Sequence, residues 1–433
     1  MTDDLLTRQK AVLPSWLLLY YDEPIEIVSG SGRRVVDGNG QSYLDFFGGV
    51  LTNMIGYDIP EIREAVEKQL RTGIVHTSTL YLIRQQVELA EKIARVSGIP
   101  DARVFFTNSG TEANEAALLV ATSYRRSNQI LAVRNSYHGR TFATMGITGH
   151  RAWSTSSLNP LNVSYLHSGD RLRGLLAGRT ETDHIDAAVA DMREVLATQT
   201  AGDVAALIAE PIQGVGGFVS APDGMFAAYR KVLDETGILY ISDEVQTGWG
   251  RTGEHFWGYQ AHGVVPDLLT FAKGIGNGFA LAGVVGRAEV LNAVSGISFS
   301  TFGGNPVSTA AGNAVLDYLL DHDLQANAAR VGAILQDGLR AEAMKFGIVG
   351  DVRGKGLMLA IELVEPGTLN PNAYATTRVF EECKRRGLLV GKGGLYGNAL
   401  RMGPPLTLTE DEAREGLAIL LDAIESVDSE VTA

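Results

Sequence analysis

Cysteine is nearly absent from this sequence. Among 433 residues only Cys383 is a cysteine, which excludes an intramolecular disulfide framework and any metal site built from several thiolates. A reducing compartment, the cytoplasm, is therefore the expected location. The eight histidines form no ligand-like cluster along the sequence, so catalysis by a bound metal is not expected.

Basic residues are too few to balance the acidic ones. The chain has 37 Lys and Arg against 50 Asp and Glu, a formal net charge of −13. Nucleic-acid binding gains from clustered basic residues, so we expect no nucleic-acid partner.

Long apolar runs are lacking too. The apolar segment 11–21 is too short to span a membrane, and Asp3 and Asp4 replace the basic flank of a signal peptide. We expect this segment to pack on the body of the protein or on a second subunit.

Apolar residues and glycine are abundant. With 45% apolar residues the chain can bury a large core, and its length favours two or three domains. The 50 glycines are dispersed rather than collected in a linker, which indicates many tight turns and close backbone approaches.

Two short apolar runs each end in an ionisable residue. Leu239-Tyr-Ile-Ser-Asp243 ends in an acid, and Asp267-Leu-Leu-Thr-Phe-Ala-Lys273 ends in a lysine before a glycine cluster. Both runs are typical of buried parallel strands, whose C-terminal ends form the ligand crevice of an α/β sheet. Either residue alone would most often be structural. Together they supply what pyridoxal 5′-phosphate chemistry needs: an amine to hold the cofactor aldehyde as a Schiff base, and a carboxylate to keep the pyridine nitrogen protonated.

An anion site is predicted earlier in the chain. The predicted strand 103–108 leads directly into Ser109-Gly-Thr-Glu112, and the spacing of Ser109 and Glu112 predicts a helix start. The amide groups at such a helix N-terminus bind a phosphate readily, although a lone Ser-Gly-Thr is more often a plain N-cap. No nucleotide-binding glycine motif accompanies it, so a nucleotide is the less favoured anion.

Several motifs follow one another along most of the chain, roughly from Asp37 to Leu421. They are Glu210-Pro-Ile-Gln-Gly-Val, Asp243-Glu-Val-Gln-Thr-Gly, His255-Phe-Trp-Gly-Tyr-Gln, Ala272-Lys-Gly-Ile-Gly-Asn-Gly, Thr301-Phe-Gly-Gly-Asn-Pro and Gly350-Asp-Val-Arg-Gly-Lys-Gly-Leu-Met. In this set the sequence resembles the class III (ω-type) aminotransferases of PLP fold type I. The longer motifs are similar to the alanine–glyoxylate aminotransferase 2 branch in particular.

The resemblance implies an α/β fold. A large domain would hold a mainly parallel seven-stranded sheet, and the N- and C-terminal parts would form a smaller α/β domain. We place the N-terminal part of the small domain at residues 1–60, the large cofactor-binding domain at 61–320 and the C-terminal part at 321–433.

The resemblance also implies roles for residues. Lys273 and Asp243 would be catalytic, and the cofactor is pyridoxal 5′-phosphate. The expected cofactor-binding residues are Ser109, Gly110, Thr111, Tyr137, His138, Glu210, Asp243, Val245, Gln246, Lys273 and Thr301. Tyr137 would cover the ring, and Thr301 would reach the cofactor phosphate of a neighbouring subunit, which implies a homodimer or a tetramer.

The expected substrate-binding residues are Arg401, Glu210 and Val50. Arginine matches a carboxylate with two hydrogen bonds, and the resemblance implies that Glu210 pairs with Arg401 when the substrate has no α-carboxylate. An ordinary salt bridge between the two domains would join the same two residues without any role in substrate binding. The stretch Gly56-Tyr-Asp-Ile-Pro60 departs from the Gly-His-x-His-Pro usual in the family.

We therefore expect a class III transaminase that moves an amino group from alanine or an ω- or β-amino acid to glyoxylate or pyruvate by a ping-pong mechanism. Alternatives on the same fold are a GABA- or ornithine-type transaminase, a dialkylglycine decarboxylase and an aminomutase. A PLP-sensing regulator is disfavoured because the sequence offers no room for a DNA-binding module before Ile25 and no basic recognition helix.

Overall fold

The computed structural model describes residues 2–432. In chain order its α-helices are α1 (Thr2–Val12), α2 (Gly48–Leu51), α3 (Pro60–Arg71), α4 (Arg84–Val96), α5 (Gly110–Arg125), α6 (Phe142–Gly146), α7 (Glu181–Thr198), α8 (Met225–Thr236), α9 (Ala288–Leu291), α10 (Pro306–Asp321), α11 (Leu324–Glu342), α12 (Ala373–Arg385) and α13 (Glu410–Thr432).

The strands alternate with these helices along much of the chain. They are β1 (Ile27–Ser31), β2 (Arg34–Asp37), β3 (Ser42–Asp45), β4 (Ala102–Thr107), β5 (Gln129–Val133), β6 (Asn162–Leu166), β7 (Ala206–Ala209), β8 (Ile212–Gln213), β9 (Val219–Ser220), β10 (Leu239–Asp243), β11 (Leu268–Phe271), β12 (Ala282–Arg287), β13 (Val349–Lys355), β14 (Met358–Leu363), β15 (Leu388–Leu389), β16 (Gly391–Gly393) and β17 (Ala399–Met402).

A seven-stranded sheet is the largest in the described residues, with the order β4-β12-β11-β10-β7-β5-β6. Strand β12 runs antiparallel to both of its neighbours, and the other four pairings, of β10 with β7 and β11 and of β5 with β6 and β7, are parallel. Strands β5, β7, β10 and β11 are buried along their whole length, as expected where helices cover both faces of a sheet. The predicted mainly parallel sheet of seven strands is therefore confirmed.

Two smaller sheets join the ends of the chain. Residues 25–47 alternate in apolar character and are interrupted by Gly and Asn-Gly turn signals, which predicts a small antiparallel sheet. Strands β1, β2 and β3 form this sheet, and β15 adds to it parallel to β3, with Leu388 opposite Leu44. The other sheet has the order β13-β14-β17-β16. N- and C-terminal segments thus build one α/β unit together. The proposed boundaries at residues 60 and 320 stay predictions, and Met1 and Ala433 lie outside the described residues.

Three elements differ from the sequence-based expectation. Residues 183–198, expected as two helical stretches, form the single helix α7. Strand β6 was not predicted, because it is a polar strand at the edge of the sheet and its sequence has no interpretable pattern. Strand β13 was missed because Gly350 and Gly354 interrupt its apolar pattern, and its pairing with β14 stabilises it.

The apolar segment near the N-terminus packs on the body only at its end. Trp16 and Leu18 are exposed, whereas the ring of Tyr21 stacks on Phe380 of α12 with centroids 4.3 Å apart. Within residues 2–432, every helix is too short or too polar to cross a lipid bilayer.

A buried carboxylate ties the loop after β10 to the next segment of the chain. The side chain of Glu244 accepts hydrogen bonds from the amides of Gly258 (2.8 Å) and Tyr259 (2.7 Å), and from the hydroxyls of Ser242 (3.1 Å) and Thr247. Burial raises the pKa of Glu244, and these hydrogen bonds oppose that rise.

We expect Glu244→Ala to lower the free energy of unfolding by about 3–5 kcal/mol, because it leaves two buried amides and two buried hydroxyls without their acceptor. Chemical denaturation measures this loss. The matched control is Glu61→Ala, which removes an exposed carboxylate from α3 and should change stability by about 0.5 kcal/mol or less. A loss below about 1 kcal/mol for Glu244→Ala would contradict this account of the loop.

Candidate active site

Ten of the thirteen predicted site residues line one cavity of about 340 Å³. It is bounded by the C-terminal ends of several strands and by the N-terminus of α5. Its lining is Thr52, Asn108, Ser109, Gly110, Thr111, Asn114, Tyr137, His138, Gly139, Glu210, Asp243, Val245, Gln246, Ala272, Lys273, Gly278, Phe279, Ala280 and Leu281. Ligands bind at this edge of α/β sheets.

Adjacent strands deliver the acid and the amine. Strands β10 and β11 run parallel with Asp243 opposite Thr270, so Asp243 ends one strand and Lys273 follows the end of the other by two residues. Lys273 has a positive φ of 52°, which is uncommon for a residue with a side chain. Such strained backbone persists where packing over-determines it, often at functional sites.

Two side chains orient the carboxylate of Asp243. Its Oδ2 accepts a hydrogen bond from Asn114 Nδ2 at 2.8 Å and lies 2.7 Å from His138 Nδ1. The amide oxygen of Asn114 in turn accepts from the hydroxyl of Thr270 on β11. His138, ambiguous from the sequence, therefore acts on Asp243. Sequence reasoning missed Asn114, although an asparagine on the apolar side of α5 was the available signal.

The anion end of the cavity is the start of α5. Ser109 is the N-cap, and its side chain accepts from the amide of Glu112 at 3.2 Å, as its spacing predicted. The carboxylate of Glu112 accepts from the amide of Asn108. Gly110 and Thr111 open the helix and line the cavity. A side chain at position 110 would come within 3.0 Å of Val245 Cγ1, so glycine lets the helix start approach the cavity wall.

The cavity fits a flat, partly polar group with a phosphate. Tyr137 lines the cavity, and its ring packs in an edge contact against Trp153, with 5.3 Å between the ring centroids. Within the described chain, His138 Nε2 and Gln246 Oε1 are buried without a hydrogen-bond partner, although both residues line the cavity. Buried polar atoms of this kind are usually satisfied by a ligand or water. The lining residues therefore suit pyridoxal 5′-phosphate.

The amine of Lys273 is poised for reaction near neutral pH. Burial lowers its pKa to about 8, and the positive charge of Arg401 acts in the same direction, while Asp243 and Glu210 oppose the shift. Neutral amine is therefore available about two pH units lower than for an exposed lysine.

Glu210 holds backbone amides rather than a cation. Its Oε1 accepts from the amide of Tyr137 at 2.9 Å and its Oε2 from the amide of Gly214 at 2.8 Å. Burial raises the pKa of this carboxyl group. Glu210 thereby joins the loop after β5, which carries Tyr137, to the loop after β7.

Arg401 is buried with part of its hydrogen-bonding capacity left over. Its side chain is 4% exposed, and its guanidinium group lies over the rings of Phe47 (5.3 Å) and Phe218 (5.5 Å). Nε and Nη2 donate to the carbonyl oxygen of Lys392, and Nη1 donates to that of Gly214. A guanidinium has five N–H groups. One N–H on Nη1 and one on Nη2 therefore have no acceptor in the described part of the chain.

The pairing of Glu210 with Arg401, expected for a substrate without an α-carboxylate, stays a prediction. Among the described residues the two side chains form no ion pair, because each is committed to backbone groups. They meet instead through Gly214, whose amide binds Glu210 and whose carbonyl binds Arg401.

Three predicted residues lie outside the cavity lining, namely Arg401, Val50 and Thr301. Val50 is 42% exposed, whereas Thr52 of the same turn lines the cavity and was not predicted. This turn is strained, since Val50 and Leu51 both have positive φ angles. Thr301 is exposed and does not contribute to the cavity of its own chain.

The departure at Tyr57 has a structural explanation. Its hydroxyl donates to Asp45 Oδ2 at 2.6 Å and accepts from Asn53 Nδ2 at 3.2 Å. Asp45 Oδ1 accepts from the amides of Phe47 and Gly48, which begin the strained turn. Tyr57 thus holds the carboxylate that organises this turn.

The described chain has no group of three or more His, Cys, Asp or Glu side chains placed to hold a metal ion.

Comparisons with known proteins agree with this geometry. The family model described as "Aminotransferase class-III" matches residues 20–424. The chain is 41% identical over 415 residues to alanine–glyoxylate aminotransferase 2 homolog 2, mitochondrial, of Arabidopsis thaliana, which covers 95% of this chain and 85% of that protein.

Two solved structures share the fold over almost the whole chain. A phospholyase from Arthrobacter in complex with phosphoethanolamine has a TM-score of 0.89 and 36% identity, covering 98% of this chain and 100% of its own. A transaminase from the marine bacterium Virgibacillus has a TM-score of 0.90 and 26% identity, covering 99% of this chain and 100% of its own.

The lowered pKa of Lys273 predicts the pH dependence of cofactor capture. Because only the neutral amine attacks an aldehyde, the rate at which cofactor-free protein binds pyridoxal 5′-phosphate should rise with pH through a midpoint near the pKa of about 8. Stopped-flow absorbance from pH 6.5 to 10 measures this rate.

The control for this measurement is Lys231→Ala, which removes an exposed lysine of α8 and should keep the same midpoint. Lys273→Ala should give no visible band that borohydride can trap. A midpoint near the ordinary lysine value of 10.5 would show that burial does not tune this amine.

Proposed function

The chain belongs to the class-III aminotransferase family, whose members depend on pyridoxal 5′-phosphate, and we propose that it transfers the amino group of alanine or an ω- or β-amino acid to a 2-oxo acid such as glyoxylate or pyruvate. The observation that carries the proposal is the meeting of Lys273, Asp243 and the N-terminus of α5 in one cavity, with Arg401 close enough to lower the pKa of Lys273.

Pyridoxal 5′-phosphate, when bound, supplies an electron sink for negative charge that develops on the substrate carbon bearing the amino group. Lys273 would hold the cofactor through Nζ until the substrate amine displaces it. The free Nζ would act as the base that accepts the proton of that substrate carbon and as the acid that returns it during amino transfer. A pKa of about 8 suits both steps near neutral pH.

Other residues of the cavity would bind and orient the cofactor. Asp243, oriented by Asn114 and His138, would keep the pyridine nitrogen protonated. Tyr137 would cover the ring, and the side chain of Gln246 would face the phenolic oxygen. Ser109, Gly110 and Thr111 would bind the phosphate at the positive end of the dipole of α5. Val245 and Glu210 would complete the cofactor-binding set.

Arg401 would select substrates that carry a carboxylate. Its remaining N–H groups, one on Nη1 and one on Nη2, match the two oxygens of a carboxylate. Because Glu210 does not neutralise Arg401, its charge is available to the substrate in both half-reactions. This favours acids as both donor and acceptor. Val50 and Thr52, in the turn beside Phe47, would contact the substrate as well.

We also propose that the protein is a homodimer with a shared active site. The support is a set of exposed apolar side chains: Ile297 is 99% and Leu82 98% exposed, and Leu80 and Phe302 are exposed as well. Burying such side chains on a second copy would remove apolar area from water. Thr301, next to Phe302, would then reach the cofactor phosphate of the partner.

The cytoplasmic location expected from the single cysteine also stays a proposal.

The substrate proposal is tested by profiling donors and acceptors with the purified holoenzyme. Alanine, β-alanine, 4-aminobutyrate and ornithine are the donors, and glyoxylate, pyruvate and 2-oxoglutarate are the acceptors. We expect the highest kcat/KM for alanine or β-alanine with glyoxylate or pyruvate, and parallel lines in double-reciprocal plots, because the two half-reactions are separate.

Three outcomes would redirect the proposal. Preference for 4-aminobutyrate or ornithine with 2-oxoglutarate indicates the other type of transaminase. Release of carbon dioxide coupled to amino transfer from a 2,2-dialkylglycine indicates a dialkylglycine decarboxylase. Release of phosphate from phosphoethanolamine, the ligand in the Arthrobacter structure, indicates a lyase.

Arg401→Gln should lower kcat/KM for alanine, with glyoxylate as the acceptor, by about 10²-fold, because a charge-assisted bidentate contact is lost. Steady-state kinetics measures the change, and an unaltered cofactor absorption band shows that the cofactor site is intact. Arg385→Gln is the matched control, since Arg385 is an exposed arginine on α12 paired with Glu382. Equal kinetics for the two variants would remove Arg401 from carboxylate recognition.

A further inference from the structure

The position of the Arg401 guanidinium depends on one peptide group. Two of its nitrogens, Nε and Nη2, donate to the carbonyl oxygen of Lys392 at 3.0 and 2.6 Å, and the third contact is to Gly214. Lys392 is the middle residue of β16, the edge strand of its sheet. Any movement of this peptide would therefore move the charged group.

Strand β16 has little stiffness of its own. It reads Gly391-Lys-Gly393, and glycine restricts the backbone least. Both glycines are required by close packing: a Cβ at 391 would lie 2.2 Å from the ring of Phe47, and one at 393 would lie 2.6 Å from Arg401 Nε. The close approach that places Arg401 therefore requires a glycine-rich strand, and this strand pairs with β17 on one side only, so contacts from other parts of the chain add to its support.

Tyr20 provides such contacts from the N-terminal segment. Its hydroxyl accepts from the amide of Lys392 at 2.8 Å and donates to the carbonyl of the same residue at 3.2 Å. Its ring stacks on Phe47 with centroids 5.8 Å apart and an angle of 13°, and Phe47 is one of the rings under Arg401. Tyr20 thus contacts both the peptide that holds the guanidinium and a ring that supports it.

The segment is docked in a way that gives Tyr20 a defined place. Tyr20 makes an edge contact with Phe380 at 5.1 Å, and the neighbouring Tyr21 stacks on the same ring. The amide of Asp22 donates to Glu381 Oε1 at 2.9 Å. These contacts are on α12, more than 350 residues away in sequence.

We propose that Tyr20 is a positioning residue for Arg401, so that docking of the N-terminal segment sets the affinity for the substrate carboxylate. The inference rests on the proposed role of Arg401. It gives the apolar segment 11–21 a function that its sequence did not reveal.

Tyr20→Phe removes the hydroxyl and keeps the stacked ring. Because hydrogen bonds of this kind contribute modestly, we expect KM for pyruvate and the inhibition constant of propionate, an unreactive carboxylate, each to rise about three- to tenfold. The turnover number should change less than about twofold, since the reacting atoms are untouched. Tyr21→Phe is the matched control, because it leaves the contacts with Lys392 in place, and both constants should stay at the wild-type values.

A double-variant cycle separates positioning from direct contact with the substrate. In the Arg401→Gln background, Tyr20→Phe should leave the inhibition constant of propionate unchanged, because the group that Tyr20 positions is gone. A full effect in that background would mean that Tyr20 touches the carboxylate itself, and no effect in the wild-type background would mean that β16 needs no anchor. Either result overturns the inference. If Arg401→Gln alone leaves carboxylate binding intact, the proposed role of Arg401 fails instead.

Discussion

The buried carboxylate of Asp243 is the constraint on which the site depends. A charge removed from water is tolerated only where hydrogen bonds or an opposite charge compensate for the lost solvation. Asn114 and His138 supply those contacts, and the amine of Lys273 on the neighbouring strand supplies an opposite charge. The arrangement of β10, β11 and α5 is what allows all of these groups to reach one point.

The rest of the site follows the same rule, with backbone groups often serving as partners. Glu210 binds two amides, and Arg401 binds two carbonyls, so that neither needs the other. Bonds to the backbone place a charged side chain without neutralising it. The consequence for function is that the charge of Arg401 stays available to a ligand, and that the peptide groups beneath it become part of the recognition apparatus.

Strained or glycine-rich backbone occurs at three places in and around the site. Lys273 and Val50 have positive φ angles, and the edge strand β16 contains two glycines. Each needs contacts from distant parts of the chain: Asp45 and Tyr57 organise the turn before Thr52, and Tyr20 holds β16. Such features are tolerated where surrounding structure over-determines them. Through the proposed role of Arg401, the small α/β unit, built from both ends of the chain, would contribute directly to substrate recognition.

The sequence by itself determined the elements whose signals are local. Apolar runs ending in Asp243 and Lys273, the capping residues at Ser109 and the alternating pattern before Phe47 predicted the central sheet, the anion site and the N-terminal sheet, because burial and capping act over a few neighbouring residues. The tertiary structure alone decided which side chains meet. It separated Glu210 from Arg401, placed Asn114 on Asp243, and brought Tyr20 to Lys392 across 372 positions of sequence. Those pairings depend on the packing of whole elements against one another. Local sequence patterns do not predict which distant residues such packing brings into contact.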